Sequence, residues 1–334
     1  MQNWLQLTDK EKTEVYTEIA ARTGMTPQAV EKDWWVTLTL RLIFSSSPAA
    51  HLVFKGGTSL SKAWDLIERF SEDIDLALDR KFLGFEGSMT SSQVKKLRKI
   101  SYKYISEEFF PELAKMFEDN GIPVDIRIRE SKDSDQDPLI IEIYYPHVFE
   151  YNQYIEPRVL VEIGSRSLRE PFSLRSITSL VGKHFPSLPF ADTSFEISTV
   201  NPERTLLEKI FLLHEEFQKP SENIRVERLS RHLYDIDRLI TTYGPHVLEN
   251  RILYQEIVAH RRSVTPLRGI DYSRHKPEFI DCIPPEGIAP EWKKDYIVMQ
   301  EQMIFGPSHS FEDLVQNITN FRIQINALNW NLEE

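Results

Sequence analysis

Cysteine is all but absent. Cys282 is the only one in 334 residues, which excludes an intrachain disulfide, and without cysteine clusters a structural zinc site is not expected; a reducing cytoplasm fits this usage. No run of about 18 uncharged apolar residues occurs, so no membrane span is expected. The amino-terminal "MQNWLQLTDKEKTEVYTEIA" does not place a basic stretch ahead of an apolar one, so it does not read as a secretory signal. A cationic surplus is missing too: the formal net charge of −11 excludes a protein that coats nucleic acid by bulk electrostatics. There is no internal repeat and no low-complexity tract, which removes solenoids from consideration.

What remains is a composition of 41% hydrophobic and 27% charged residues, that of a globular chain, at a length that suggests about two domains. The charge is uneven. Residues 204–276 carry 13 Lys+Arg against 10 Asp+Glu, so the acidic excess falls on the flanking regions, and the bare charge leaves open whether this stretch is a local cationic face or ordinary solvated helix surface.

Residues 8–46 read as two helices, because "TDKE" is a Thr-x-x-Glu capping box and Thr26 with Pro27 forms a second helix start. The period then changes. "HLVFK" at 51–55 is a short apolar run ended by Gly56 and Gly57, "SLSKAWDLIERF" has helical spacing, and "DIDLAL" at 73–78 alternates with period two. An amphipathic helix follows from about 91 to 119, with Pro111 expected to end or kink it; Gly121 and Pro123 close it. Strands are expected at 124–130, 139–145 and 158–165, the first two joined by the polar "SKDSDQDP" as a hairpin loop. "FSLRSITSLVG" is strand-like. "NPERTLLEKIFLLHEEFQ" has Asn201 as cap and Pro202 in the first turn, and "RVERLSRHLYDIDRLITTYG" is expected to end at its glycine. Residues 262–296 read as a long surface excursion, and a last helix is expected near 310–327.

Chemistry concentrates in residues 54–78, "FKGGTSLSKAWDLIERFSEDIDLAL". On a strand, Asp73 and Asp75 point to one face about 6 to 7 Å apart, while Ile74 and Leu76 turn to the core. Two carboxylates so placed either face solvent or call for a positive charge between them, for which Mg²⁺, held by one or two carboxylates and substrate phosphates, is the natural candidate. The glycine pair lets backbone N–H groups approach phosphate oxygens, with Thr58 and Ser59 as further donors. The pattern is not a Walker A loop, since "GGTSLSKA" lacks a glycine before the lysine. A third carboxylate would complete a site for two metals. Glu162, a lone acid in the apolar "RVLVEIGS", is the first candidate; Glu142 and Asp125 are alternatives. Lys55 and Lys62 flank the turn.

These residues, together with "VEIGSR", "PERTLLEKIFLLHE" and "RHLYDIDRL", resemble the AbiEii/AbiGii abortive-infection toxin family of nucleotidyltransferases, which includes the MenT-type toxins; the likeness runs over roughly residues 28–240. It implies an α+β chain with a DNA-polymerase-β-type nucleotidyltransferase core, a mixed sheet with flanking helices, followed by a mainly helical carboxy-terminal domain. The expected division is 1–48 for amino-terminal helices on the core, 49–198 for the core and 199–334 for the helical domain. The resemblance implies that Gly56, Gly57, Thr58, Ser59 and Lys62 contact the nucleotide, that Asp73, Asp75 and Glu162 bind Mg²⁺ (or Mn²⁺), and that Lys209 positions phosphates. Asp235, with Arg231 nearby, matches the aspartate of the last motif.

The activity so implied is metal-dependent transfer of a nucleoside monophosphate from a nucleoside triphosphate to an acceptor hydroxyl. Some relatives use the 3′ end of tRNA, and the role is that of a cytoplasmic toxin with a cognate antitoxin and no membrane association. Nucleotidylation of a protein side chain, and a non-catalytic nucleotide- or partner-binding module on the same fold, stay open.

Overall fold

A computed structural model describes residues 2–71, 73–130, 136–150 and 156–330. It divides into two compact units: residues 1–65 with 70–200, and residues 66–69 with 201–334.

The first unit opens with helices α1 (Gln2–Leu5), α2 (Asp9–Thr23) and α3 (Pro27–Ile43). The capping box at α2 forms as the sequence dictates: the Thr8 hydroxyl accepts from the Glu11 N–H, and the Glu11 carboxylate accepts from the Thr8 N–H at 2.8 Å. Thr26 caps α3 through the N–H of Ala29. Strand β1 (Leu52–Lys55) leads into α4 (Gly56–Lys62), and β2 (Asp73–Leu78) follows.

Next come α5 (Ser91–Tyr104), a π-helical turn (Ile105–Phe109) and α6 (Phe110–Asp119). Pro111 neither breaks nor sharply ends this helical run. It sits in the first turn of α6, where its missing N–H is tolerated, and the π turn absorbs the register change before it.

The remaining strands are β3 (Asp125–Ile128), β4 (Leu139–Tyr144), β5 (Arg158–Gly164), β6 (Phe172–Ile177) and β7 (Phe195–Val200), with the short α7 (Leu180–His184) between the last two. One mixed seven-stranded sheet results, in the order β3-β4-β5-β2-β1-β7-β6. β3, β4 and β5 are the antiparallel meander expected, and β5 runs parallel to β2. Most of the connection read as a hairpin loop, 131–135, lies outside the described residues. The sequence reading missed β7, which pairs parallel with β1. One face of the sheet, with Ile74, Leu76, Val161 and Ile141, joins Trp34, Trp35 and Phe109 in a continuous apolar core.

The second unit is helical: α8 (Pro202–Phe217), α9 (Ser230–Glu249), α10 (Arg251–Ser263), α11 (Ala289–Gln302) and α12 (Phe311–Asn326). Three expectations are corrected in it. Asn201 stands at the cap position of α8 without a capping hydrogen bond, its amide donating instead to Glu203. Gly244 does not end α9, which continues through Pro245; a Cβ at Gly244 would lie 2.9 Å from Phe321, so the glycine serves a close packing of α12. The stretch 262–296 is no surface excursion, because His275, Cys282, Trp292 and Tyr296 are buried in the unit and α11 begins within it.

Among the described residues, no helix is long and apolar enough to cross a membrane.

Candidate active site

Alternation on β2 buries Ile74 and Leu76 and leaves Asp73 and Asp75 half-exposed on the opposite face. In β5 the same alternation leaves Leu160 and Glu162 half-exposed between buried valines and Ile163. The parallel pairing sets Asp75 against Glu162 and Asp73 against Leu160, so all three carboxylates share one sheet face. On the other side of β2, Lys55 is the register partner of Asp75.

The electrostatics follow. Burial first, then the charges of Asp75 and Asp73, push the Glu162 carboxyl above the usual carboxylate range, with Lys55 and Arg129 pulling the other way. This is the mark of like charges held together. Among the described residues, no three His, Cys, Asp or Glu side chains converge closely enough to cage an ion unaided. Mg²⁺ bound by carboxylates and substrate phosphates together needs no such cage, and an all-oxygen donor set in mutual repulsion fits a hard divalent cation.

The glycine turn meets this cluster directly. Gly56 has φ +78°, a left-handed conformation that L side chains rarely adopt, and a Cβ on it would collide with the carboxylate of Asp75. Thr58 and Ser59 are 1% and 0% exposed, and their hydroxyls are engaged internally. Thr58 donates to the backbone carbonyl of Asp73 at 2.6 Å, and Ser59 donates to the carbonyl of Gly56 at 2.8 Å. The Thr58 hydroxyl therefore braces the turn against β2 and that of Ser59 closes the turn on itself, so an approaching anion would meet the backbone of Gly56 to Thr58 instead. Lys62 is paired with Asp33 of α3, whose other oxygen accepts from the N–H of Leu180 at 2.8 Å.

The helix expected over 59–70 stops at Lys62. Asp65 takes a left-handed φ of 51°, and residues 66–69 leave to join the second unit.

There Arg69 makes a bidentate pair with Asp235, Nε to Oδ1 and Nη2 to Oδ2, both at 2.7 Å. Lys209 completes the group at 2.8 Å from Oδ2. Asp235 is 0% exposed. Burial works against its charge, but Arg69 and Lys209 hold its carboxyl far below the usual range. Lys209 is itself lowered, by burial most of all, with Asp235 opposing. Burial, Lys209 and Arg231 keep His232 neutral. The structure thus brings Lys209 and Asp235, which belong to separate motifs, together with Arg69. Arg69 escaped the sequence reading because it lay inside an apparent helix.

Of the alternative third acids, Glu142 on β4 lies in register with Leu160 and is held by Arg129 and Arg158, each at 2.8 Å. Asp125 is exposed on edge strand β3, opposite Tyr144.

A family model described as "Nucleotidyl transferase AbiEii toxin, Type IV TA system" matches residues 40–317. No curated protein matches the chain.

Proposed function

We propose, from the premise that this chain belongs to the AbiEii nucleotidyl transferase toxin family of type IV toxin–antitoxin systems, that it transfers a nucleoside monophosphate from a nucleoside triphosphate to a hydroxyl at the 3′ end of tRNA. Membership in the family makes the chain a nucleotidyltransferase toxin and implies a triphosphate substrate and a cognate antitoxin.

The observation that supports the location of the chemistry is the shared face of Asp73, Asp75 and Glu162, with Gly56 abutting Asp75. In the reaction the acceptor oxygen bonds to the α-phosphorus, the bond to the pyrophosphate oxygen breaks, and the hydroxyl proton departs. Asp73, Asp75 and Glu162 would hold Mg²⁺ or Mn²⁺, which supplies charge neutralisation of the phosphates and a more acidic acceptor hydroxyl. The protein's part is to position groups and exclude alternatives. The backbone of Gly56, Gly57 and Thr58 receives the phosphates, Ser59 stiffens that turn, and Lys55 tempers the carboxylate charge. Lys62, tied to Asp33, anchors α4. Lys209 and Asp235, joined by Arg69, stay in the proposal on the strength of their motifs alone; two cations on one carboxylate leave one positive charge in excess.

The test is to incubate the chain with each labelled triphosphate, Mg²⁺ and either total tRNA or lysate proteins. Label is expected in tRNA and is expected to vanish with Asp73→Ala. Label in protein alone, or uptake that survives Asp73→Ala, would overturn the reading.

A further inference from the structure

We propose that Phe172, with Leu174 beside it, is the ledge on which the nucleobase of the triphosphate stacks; the inference rests on the nucleotidyl-transfer reading and gives the nucleoside part of the donor its place. β1 and β7 run parallel with Phe54 opposite Thr199, so Lys55 and Val200, the last residue of each strand, stand side by side. Val200 is the partner of Phe172 in antiparallel β6. With Lys55 opposite Asp75 and Asp75 opposite Glu162, one row crosses the sheet, Glu162-Asp75-Lys55-Val200-Phe172, all on the face of the three acids and all within the first unit.

Val200 is buried, but Phe172 is 37% exposed and Leu174, the next side chain along β6 on that face, is 63% exposed. Neither belongs to the apolar core of the sheet. β6 is an edge strand, where two large apolar side chains in succession on one face invite unwanted pairing and so need a reason to be there. Phe172 is also held: the Arg169 guanidinium lies over its ring, Cζ 5.2 Å from the centroid, and donates to Asp79 at 2.6 Å and to the carbonyl of Ala50 at 3.2 Å. A ring backed by a fixed cation and still partly open to solvent is preorganised to stack a flat partner, with little side-chain entropy left to lose.

The neighbours of this ledge identify the flat partner. Lys55 leads directly into the Gly56 turn that receives the phosphates. Strands are spaced about 4.8 Å, which puts β6 roughly 10 Å from β1, within reach of a base whose phosphates sit at the turn. In-line displacement sets the acceptor opposite the leaving pyrophosphate, hence on the Glu162 side of the aspartates, and leaves the β7 and β6 side to the donor. Stacking on an aromatic ring accepts any base, since each has a π face, so the ledge governs how tightly a triphosphate binds and not which one is chosen.

The experiment measures binding of ATP, CTP, GTP and UTP, and of inorganic tripolyphosphate, each with Mg²⁺ and no acceptor, by isothermal titration calorimetry. Phe172→Leu is expected to weaken all four nucleotides roughly five- to ten-fold and to leave tripolyphosphate unchanged, while Phe172→Trp retains nucleotide binding. Wild type that binds no nucleotide, nucleotide affinities unchanged in Phe172→Leu, or tripolyphosphate weakened as much as the nucleotides would overturn the ledge. So would a halving of the protein's mass in solution on Phe172→Leu with nucleotide affinity intact, which would assign the strand edge to a second copy. If the ledge falls while wild type still transfers label, the transfer reading stands. If nucleotides weaken as described but no label is ever transferred to RNA or protein, the ledge stands and the transfer reading falls.

Discussion

The carboxylate of Asp75 occupies the space into which any side chain at Gly56 would project. The turn at the end of β1 and the acid in the middle of β2 are therefore one steric unit, and Gly56 holds a backbone angle that favours glycine as well.

Gly56→Ala is accordingly expected to abolish nucleotidyl transfer. The left-handed backbone alone costs a residue with a Cβ roughly 1–2 kcal/mol, and the collision must displace Asp75 or the turn. Thermal denaturation beside a transfer assay checks this: the variant should remain folded, with a lowered Tm, and be inactive.

Glu162→Gln should separate stability from activity. The Glu162 carboxyl has a raised pKa, so between its unfolded and folded values the native state holds the proton more tightly and stability falls as pH rises. At neutral pH the ionised group is a net penalty on the fold. The glutamine variant should unfold at a higher temperature than the wild type at neutral pH, with the difference shrinking as pH falls through that window, and should fail to transfer label. Denaturation scans across pH, without metal or nucleotide, read it out.

Asp235→Asn should be the most damaging single change in the second unit. It leaves Arg69 and Lys209 buried around a neutral group, and breaking one partner of such a pair costs about 3–5 kcal/mol. Because the folded-state pKa of Asp235 is depressed, its contribution is present above the unfolded value and is lost only as pH falls toward the folded one. Urea titrations at neutral and acid pH should show the variant's deficit narrowing in acid.

Thr58→Val tests the brace between turn and strand. Its hydroxyl donates to the carbonyl of Asp73 at 2.6 Å from a buried position, so the near-isosteric change should cost about 1 kcal/mol through the loss of that hydrogen bond. Transfer should slow without a change in which triphosphate is used. Comparing rates among the four labelled triphosphates checks the second half of the expectation.

Local patterns carried much of the architecture. The capping boxes, the alternation of "DIDLAL" and the three-strand meander are short-range features whose physics is complete within a few residues. So was the shared face of Asp73 and Asp75, which follows from strand period alone. The pairing of Asp75 with Glu162 is a register between strands more than 80 residues apart in sequence, and only the rarity of a lone acid in an apolar strand hinted at it. The fate of residues 63–70 was not legible. Their spacing favours a helix, yet the helix stops at Lys62 and residues 66–69 join another unit, where Arg69 makes its bidentate pair with Asp235, a tertiary preference that overrides propensity. Likewise the pattern at Gly244 reads as a helix end, and only the approach of Phe321 explains why a glycine sits within a continuing helix.

The assignment of residues 66–69 to the second unit has a consequence for the order of synthesis. Arg69 leaves the ribosome 166 residues ahead of Asp235. At about 5–20 residues per second, that is a wait of roughly 8–30 s. During that interval strands β2 to β7 are made, while residues 66–69 still lack their partner in α9. A nascent chain thus carries Asp73, Asp75 and Glu162 well before Asp235 is made, and a chain released early would have these acids without the pair that ties residues 66–69 into the second unit.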